Sequence, residues 1–373
     1  MKKLLFLCRT PIHVLRTIQL KFELYEHSSV DICIFDSFKG SDKIIERINN
    51  KSIFDYVLYV SDSDYMYDGK FSDLVSYIKK SNYKKFLKSN IYDELFTYDI
   101  FGQFNEIAYN VLRKNNSNLV YNMMEDGPTL YYVERIDSKT KKYLYTLFGL
   151  KNSLDYIDNW WFSRPDLMTV FGNGIKKSIP KVDKNNLDMI KYMNYVFDYK
   201  DSEDIRNADI MFMEECFCND GLLKDSKDLR IFKGIKSAIE NVDCVVKIHP
   251  RSVDNRFDGD FKVLPNDGIP WELFALNMDV SKKIMVSIAC TTMISSSMLF
   301  GEESFSLMLY PMFINDIIDL RKKTPYFNGD RVEKLLEQTK VYKNPERIQV
   351  AESTDEAIEI IKKWIEIIKN NNG

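Results

Sequence analysis

The sequence predicts an α/β protein built from two doubly wound, Rossmann-like domains. Short apolar runs alternate with helix-like stretches in both halves of the chain, and a polar segment near the middle separates the halves. Strands separated by helices of this length indicate βαβ units and parallel sheets covered on both faces. The 373 residues are too many for one comfortable core and suit two domains of roughly 150 to 200 residues each.

The first predicted domain covers residues 1–178. Helical patterns are predicted from Ile12 onward and near 41–49, 72–89 and 103–114. The apolar runs between them are predicted as five strands: Lys3 to Cys8, Val30 to Phe35, Tyr56 to Val60, Glu94 to Tyr98 and Leu119 to Met124.

Residues 179–207 are rich in Lys, Asp and Asn, and they are predicted as a linker with one helix around Leu187 to Phe197. A second series of elements follows in residues 208–353, with a helix near 226–240. Its predicted strands are Ala208 to Met213, Cys244 to Ile248, Phe261 to Leu264, Lys283 to Ile288 and Ser304 to Leu309. Two doubly wound domains joined by one linker describe the GT-B architecture, in which we expect ligands at the carboxyl ends of the strands, facing a central cleft.

The last segment, residues 354–373, is predicted as a helix followed by a flexible tail. Packing of its apolar face on the body of the protein is one interpretation. A helix on the membrane surface is the other, because the helix is terminal and carries Lys362, Lys363 and Lys369. The apolar face consists of Ile358, Ile361, Trp364, Ile365 and Ile368.

Composition narrows the classes of function. The formal net charge of −3 offers no electrostatic case for binding nucleic acid. No apolar stretch approaches the 18 residues of a membrane span. Four of the six cysteines lie in apolar runs, where a reduced thiol behaves as a small buried hydrophobe, and Cys216 and Cys218 lack the partners of a zinc set. We therefore expect a reducing, cytoplasmic compartment and no metal.

Three clusters of polar residues follow predicted strands. The first, Glu125-Asp126-Gly127-Pro128, comes directly after the strand Leu119 to Met124. Acids followed by Gly and Pro are typical of a turn. The functional alternative is a carboxylate that acts as a general base toward an acceptor hydroxyl.

The second cluster is Lys247-Ile248-His249-Pro250-Arg251, at the end of an apolar strand. A lone histidine is more often structural than catalytic. Here three cationic side chains gather within five residues, which suits an anion such as a phosphate. Alternation along a strand would place Lys247 and His249 on the same side.

The third cluster, Ser295-Ser296-Ser297, lies between a predicted strand and an apolar helical run. A Ser run that opens a helix serves as an N-cap. Hydroxyls, free N–H groups and the positive end of a helix also make a phosphate site that needs no metal.

Motifs of other nucleotide-using enzymes and hydrolases are absent from the sequence. No G-x-G-x-x-G dinucleotide fingerprint, no G-x-x-x-x-G-K-[ST] loop and no G-x-S-x-G elbow occurs in it. Dehydrogenases, P-loop NTPases and α/β-hydrolases are therefore disfavoured.

Taken together and in order, the three clusters resemble those of the bacterial sialyltransferases of glycosyltransferase family 52 and the related polysialyltransferases. The family-52 enzymes act on lipooligosaccharide and capsular polysaccharide. Within this group, the sequence is expected to be nearer to the streptococcal capsule sialyltransferases. The opening Cys8-Arg9-Thr10-Pro11-Ile12-His13 is also similar to the family's start, where the first strand meets the cleft.

The resemblance implies a role for each matching residue. Glu125 or Asp126 would be the base, with Asp220 of Asn219-Asp220-Gly221 as the alternative, and His249 would donate to the departing CMP phosphate. The implied donor-binding residues are Lys247 near the cytosine, Glu272 at the ribose hydroxyls, Pro250 and Arg251 beside the histidine, and Ser295, Ser296 and Ser297 at the phosphate. Arg9, Thr10, His13 and Gly127 would lie on the acceptor side of the cleft.

The function expected from this resemblance is metal-independent, inverting transfer of sialic acid from CMP-sialic acid to a galactose-terminated glycan of the bacterial surface. Two alternatives stay open: a GT-B hexosyltransferase with another donor such as a UDP-sugar, and a non-catalytic glycan-binding protein of capsule assembly. No cofactor and no nucleic-acid partner is expected. Peripheral contact with the inner face of the cell membrane and formation of a homodimer are left open.

Overall fold

The computed structural model describes residues 1–61, 82–98, 103–126, 151–168, 174–215, 217, 226–249, 252, 255–264, 268–316 and 338–370. The chain divides into two compact units. Unit 1 comprises Met1–Pro180 and Asn186–Asp198, and unit 2 comprises Lys181–Asn185 and Tyr199–Gly373.

Unit 1 is built on a seven-stranded parallel sheet in the order β3-β2-β1-β4-β5-β6-β7. The strands are β1 (Lys3–Cys8), β2 (Ser29–Phe35), β3 (Tyr56–Val60), β4 (Glu94–Thr97), β5 (Val120–Met124), β6 (Asn159–Phe162) and β7 (Ile175–Ser178). The helices are α1 (Pro11–Glu23), α2 (Ser41–Lys51), α3 (Asn82–Ser89), α4 (Gln103–Asn115) and α5 (Leu187–Phe197).

Unit 2 repeats this arrangement with six parallel strands in the order β10-β9-β8-β11-β12-β13. The strands are β8 (Ile210–Met213), β9 (Cys244–Lys247), β10 (Lys262–Leu264), β11 (Ile284–Ser287), β12 (Phe305–Met308) and β13 (Ile348–Val350). The helices are α6 (Glu203–Asn207), α7 (Lys227–Ser237), α8 (Trp271–Asn277), α9 (Thr292–Leu299) and α10 (Thr354–Asn370).

Both sheets have the Rossmann strand order, which reverses direction once. The reversal lies between β1 and β4 in unit 1 and between β8 and β11 in unit 2. At such a point the connections leave on opposite faces of the sheet, so a crevice opens beyond the carboxyl ends of the two strands. The predicted fold class is confirmed in each unit: the chain is an α/β protein with two Rossmann-like, doubly wound domains.

The strands that sequence reasoning missed are short and lie toward the edges of the sheets. β7 is exposed along most of its length, and its sequence Ile-Lys-Lys-Ser contains no apolar run. β6 and β13 span four and three residues. An exposed edge strand such as β7 forms because a neighbouring strand supplies hydrogen bonds, so its own composition carries little signal. β6, Asn-Trp-Trp-Phe, is mostly buried, and only its shortness hides it in the sequence.

The region predicted as a linker is divided between the units. The helix expected at Leu187 to Phe197 is confirmed as α5, with Asn186 as its N-cap accepting from the Met189 N–H. It packs within unit 1, where Tyr192 contacts Phe22 with ring centroids 5.8 Å apart. Arg47 of α2 donates to the carbonyl of Val196. Residues 199–207 belong to unit 2.

The C-terminal helix α10 packs on unit 2. Its indole Trp364 is 1% exposed and lies against Phe305, with ring centroids 5.4 Å apart. The indole N–H donates to the carbonyl of Glu346. The apolar face predicted for this helix is thus the face that covers β12. Among the helices of the described ranges, none combines the length and the apolarity that crossing a bilayer requires.

Candidate functional site

The candidate site of unit 1 lies at the carboxyl edge of its sheet, next to the strand-order reversal. β1 ends at Cys8, and α1 begins at Pro11 after a turn of two residues. Proline suits the first position of a helix because it lacks an N–H that would have no partner there. This short turn places the first turn of α1 above the ends of β4 and β5.

His13 and Asp126 form a hydrogen-bonded pair at this edge. His13 Nε2 lies 2.5 Å from Oδ1 of Asp126, the second residue after β5. The main-chain N–H of Arg9 donates to His13 Nδ1 over 3.1 Å. Because that bond occupies the Nδ1 lone pair, the ring proton sits on Nε2 and points at the carboxylate. The His13 side chain is 2% exposed, whereas that of Asp126 is 43% exposed.

Tyr98 packs against one face of the His13 imidazole. Its ring is stacked on that of His13 with centroids 4.2 Å apart and planes 9° from parallel. Its hydroxyl lies 3.0 Å from Thr17 Oγ1, and Thr17 in turn donates to the carbonyl of His13. Burial raises the pKa of Tyr98 well above its ordinary value, so the phenol stays neutral. The Tyr98 ring, the Thr17 hydroxyl and the Arg9 N–H therefore fix the direction in which His13 presents its Nε2–H.

Glu125 is engaged differently, although it adjoins Asp126 in sequence. It is 6% exposed, and its carboxylate accepts from Arg16 Nη2 over 3.1 Å. It also accepts from both the main-chain N–H and the hydroxyl of Ser163, at the end of β6. Glu125 therefore ties α1 to the ends of β5 and β6, and Asp126 is the acid of this pair that solvent can reach.

The other predicted residues of this edge lie around the same turn. The Arg9 guanidinium lies over the ring of Phe35, 4.1 Å from its centroid, at the end of β2. Thr10 is the N-cap residue of α1, but its side chain makes no capping bond. Gly127 lies outside the described residues.

The candidate site of unit 2 lies at the carboxyl ends of β8, β9 and β11. β9 ends at Lys247, so the strand alternation that would put Lys247 and His249 on one side does not extend to the histidine. Lys247 is 8% exposed. Its ammonium donates to the carbonyl of Ile269 over 3.3 Å and lies 5.3 Å from the ring centroid of Phe274. Pro250, Arg251 and the alternative base Asp220 lie outside the described residues.

Carboxylates converge at the strand-order reversal of unit 2. Glu215 follows β8 and accepts from the main-chain N–H of Ala289, after β11, over 3.2 Å. Burial, together with the nearby Glu215 and Glu272 carboxylates, raises the pKa of the Cys290 thiol to about 12. Glu272, the predicted ribose-binding acid, is 7% exposed in the first turn of α8. Sequence reasoning missed Glu215, for which the only signal was an acidic pair directly after β8.

The Ser run occupies a different part of its helix than expected. α9 begins at Thr292, so the prediction that the run opens a helix is wrong. The Ser295 hydroxyl donates to the carbonyl of Thr292 over 2.9 Å, a hydrogen bond that serines inside helices commonly make. Ser297 donates to the carbonyl of Val341, and the fully buried Ser296 hydroxyl has no hydrogen-bond partner within the described ranges. Thr291 and Thr292 stand at the helix start instead.

In the part of the chain that the structure describes, no group of three or more His, Cys, Asp or Glu side chains is placed to hold a metal ion.

Comparison with known proteins gives only distant similarities. No protein-family model matches the sequence, and no curated protein sequence matches it. Among solved structures, the chain is similar to an α/β-galactoside α-2,3-sialyltransferase from Photobacterium phosphoreum, with a TM-score of 0.49 and 12% identity over 94% of this chain and 98% of the other.

Two further solved structures have comparable scores. MnaA of S. aureus with UDP has a TM-score of 0.45 and 13% identity over 99% of this chain and 98% of the other. UGT89C1 of Arabidopsis thaliana with UDP has a TM-score of 0.46 and 11% identity over 98% of this chain and 94% of the other. All three are too distant to assign an activity or a ligand to this chain.

Proposed function

We propose that the chain is a glycosyltransferase that moves sialic acid from CMP-sialic acid to a galactose-terminated acceptor of a bacterial surface glycan, such as capsule or lipooligosaccharide. The observation that carries the proposal is the His13–Asp126 pair. A half-exposed carboxylate at the carboxyl end of a strand, held by a buried imidazole, is suited to take a proton from a sugar hydroxyl.

In the proposed reaction Asp126 acts on the acceptor. As the hydroxyl oxygen forms a bond to the anomeric carbon of sialic acid, its proton passes to the Asp126 carboxylate. The bond between that carbon and the phosphate oxygen of CMP breaks with its electron pair, and the configuration inverts. His13 keeps the carboxylate in one orientation because its Nε2–H engages Oδ1, which leaves Oδ2 for the incoming proton.

The departing CMP is proposed to be stabilised by unit 2. Charge develops on the phosphate as the bond breaks, and His249 and the N-terminal end of α9 lie beyond the carboxyl ends of β9 and β11. A preorganised donor of this kind typically contributes about 3 to 4 kcal/mol in the transition state. The donor-binding roles of Lys247, Glu272 and the residues flanking His249 belong to the same proposal, and so does independence from metal ions.

Ligand-dependent melting and a transfer assay test the proposal. CMP is expected to raise the melting temperature of the purified chain, and UDP is not, because a ligand stabilises only the protein that binds it. Transfer from labelled CMP-sialic acid to a panel of galactosides should proceed with EDTA present. Stabilisation by UDP and transfer from a UDP-sugar would assign a hexosyltransferase, and no nucleotide binding at all would favour a glycan-binding assembly protein.

A further inference from the structure

A buried carboxylate in unit 2 holds the segment that carries His249. Glu214 is the first residue after β8, and its side chain is 1% exposed. Its Oε2 atom accepts from the main-chain N–H of His249 over 2.9 Å and from the hydroxyl of Ser252 over 2.7 Å. Its Oε1 atom accepts from Arg256 Nε over 2.9 Å. Both oxygens are therefore used by one short stretch of chain.

Arg256 is itself anchored on its other side. Its Nη1 and Nη2 atoms donate to the two carboxylate oxygens of Asp228, over 2.8 Å and 2.5 Å. Asp228 lies in the first turn of α7, and its side chain is 1% exposed. The planar guanidinium thus bridges two buried carboxylates, an arrangement whose geometry is strict because each charge needs its partners to offset desolvation.

The bond from Glu214 to His249 extends the sheet beyond the strands. β8 and β9 are parallel neighbours, and their pairing ends at Met213 and Lys247. One residue further, the main-chain N–H of Glu214 donates to the carbonyl of Lys247 over 3.0 Å. The Glu214 side chain then takes the next donor, the N–H of His249. The main chain at His249 is thereby held at a set position relative to the end of β8.

We infer that Glu214, held by Arg256, is a positioning residue that fixes the main chain of His249 and thereby directs the imidazole toward the departing phosphate. The role of His249 in this inference rests on the proposed function. We define Glu214, Arg256 and Asp228 as the clamp. The inference gives these three residues no contact with the substrate. Ser252 reinforces it, since its own N–H donates to the carbonyl of His249 over 2.9 Å.

The experiment compares variants of the clamp with a matched arginine elsewhere in unit 2. Glu214→Ala removes both acceptor oxygens, and Glu214→Gln and Arg256→Met are milder changes in case the alanine variant does not fold. The control is Arg347→Met. Like Arg256, Arg347 donates to two partners, in its case the carbonyls of Ser281 and Glu303. Each arginine also lies over a phenylalanine ring, Arg256 over Phe257 and Arg347 over Phe305.

Two readouts are needed. The first is hydrogen exchange at the His249 amide, which requires no catalysis. It should speed up by at least about tenfold in Glu214→Ala, because the bond that protects it is lost. The increase should be smaller in Glu214→Gln and Arg256→Met, where an acceptor oxygen stays but is held less firmly, and exchange should be unchanged in Arg347→Met. The second is steady-state transfer. kcat should fall by about tenfold or more in the clamp variants, with KM for CMP-sialic acid within about threefold of the native value, because the donor still binds but the imidazole is misdirected.

Each outcome has a definite meaning. Unchanged exchange at His249 in Glu214→Ala and Glu214→Gln would overturn the inference, whatever the activity. So would normal kcat in variants whose exchange has increased, provided that His249→Ala is itself inactive. A fully active His249→Ala variant would instead contradict the leaving-group role in the proposed function, while the exchange result would still report on the clamp. An equal loss of kcat in Arg347→Met would show a general effect on stability and would also overturn the inference.

Discussion

His13 and Asp126 are 113 residues apart in the sequence, yet their side chains meet at 2.5 Å over the carboxyl edge of one sheet. The contact exists because β1 and β5 both neighbour β4, so the start of α1 and the end of β5 are only about two strand spacings, roughly 10 Å, apart. An imidazole reaching across the end of β4 closes that gap.

The two adjacent acids should respond in opposite ways to substitution. Asp126→Asn should lower kcat by about 10²- to 10⁴-fold with little change in melting temperature, because the lost group is half exposed and serves as a base. Glu125→Ala should instead destabilise unit 1 by about 3–5 kcal/mol, because it leaves the Arg16 guanidinium buried without its carboxylate. Thermal melting and kinetics of the two variants separate these effects. A stable, inactive Glu125→Gln variant beside an active Asp126→Asn variant would reverse the assignment.

His13 should act only through Asp126. His13→Ala should lower kcat by about 10- to 100-fold, since a hydrogen bond to a charged group is worth about 1.5–3 kcal/mol. In the Asp126→Asn background the same substitution should cost much less, because the group that it orients is already gone. Kinetics of the two single variants and the double variant form the cycle. Additive effects would show that His13 has a separate role.

His249→Ala should reduce kcat by about 10²- to 10³-fold while KM for the donor changes little, as expected when a group acts mainly on charge that develops in the transition state. The steady-state rate of transfer from CMP-sialic acid measures this. Lys88→Ala, which changes a residue at the end of α3 in unit 1, serves as a control for the handling of variants. Near-normal turnover in His249→Ala would remove the histidine from the mechanism.

Stability should fall at alkaline pH through the thiols of Cys8 and Cys290. Desolvation raises the pKa of each thiol to about 12, from an ordinary value of 9.0. Below pH 9 both thiols are neutral in the folded and unfolded states, so their contribution is fully present. Between pH 9 and about 12 only the unfolded chain ionises, and the contribution is lost. Melting temperatures measured between pH 8 and pH 11 should therefore decline, and less steeply in Cys8→Ala. An equal slope in native protein and variant would contradict this.

The C-terminal helix should behave as part of the core of unit 2. Trp364→Ala should destabilise the protein by about 3–5 kcal/mol, because the indole is almost fully buried against Phe305. The exposed Lys362→Ala should change stability by no more than about 0.5 kcal/mol. Denaturant unfolding measures both. Sedimentation with anionic vesicles tests the membrane alternative, for which Lys362→Ala and Lys363→Ala should reduce binding.

The larger elements were predictable because they are local. Val30 to Phe35 and Tyr56 to Val60 are apolar runs of strand length, and the structure has β2 and β3 at those places within one residue. α5 was predicted with its observed ends, since a polar segment isolates its apolar stripe. β7 and the start of α9 were not predictable. An exposed edge strand has no apolar pattern, and hydroxyls that open a helix look the same in sequence as hydroxyls buried in its second turn.

The sequence by itself determined the fold class, the positions of the main strands along the chain, and the acidic and histidine clusters at their ends. Burial of apolar side chains imposes a period of two or 3.6 residues, and that period can be recognised locally. Only the tertiary structure decided that Asp126 is reachable while Glu125 is locked to Arg16 and Ser163, and that Glu214 holds His249. Those choices depend on which strands become neighbours, and that is settled by the packing of whole sheets over separations of tens to more than a hundred residues.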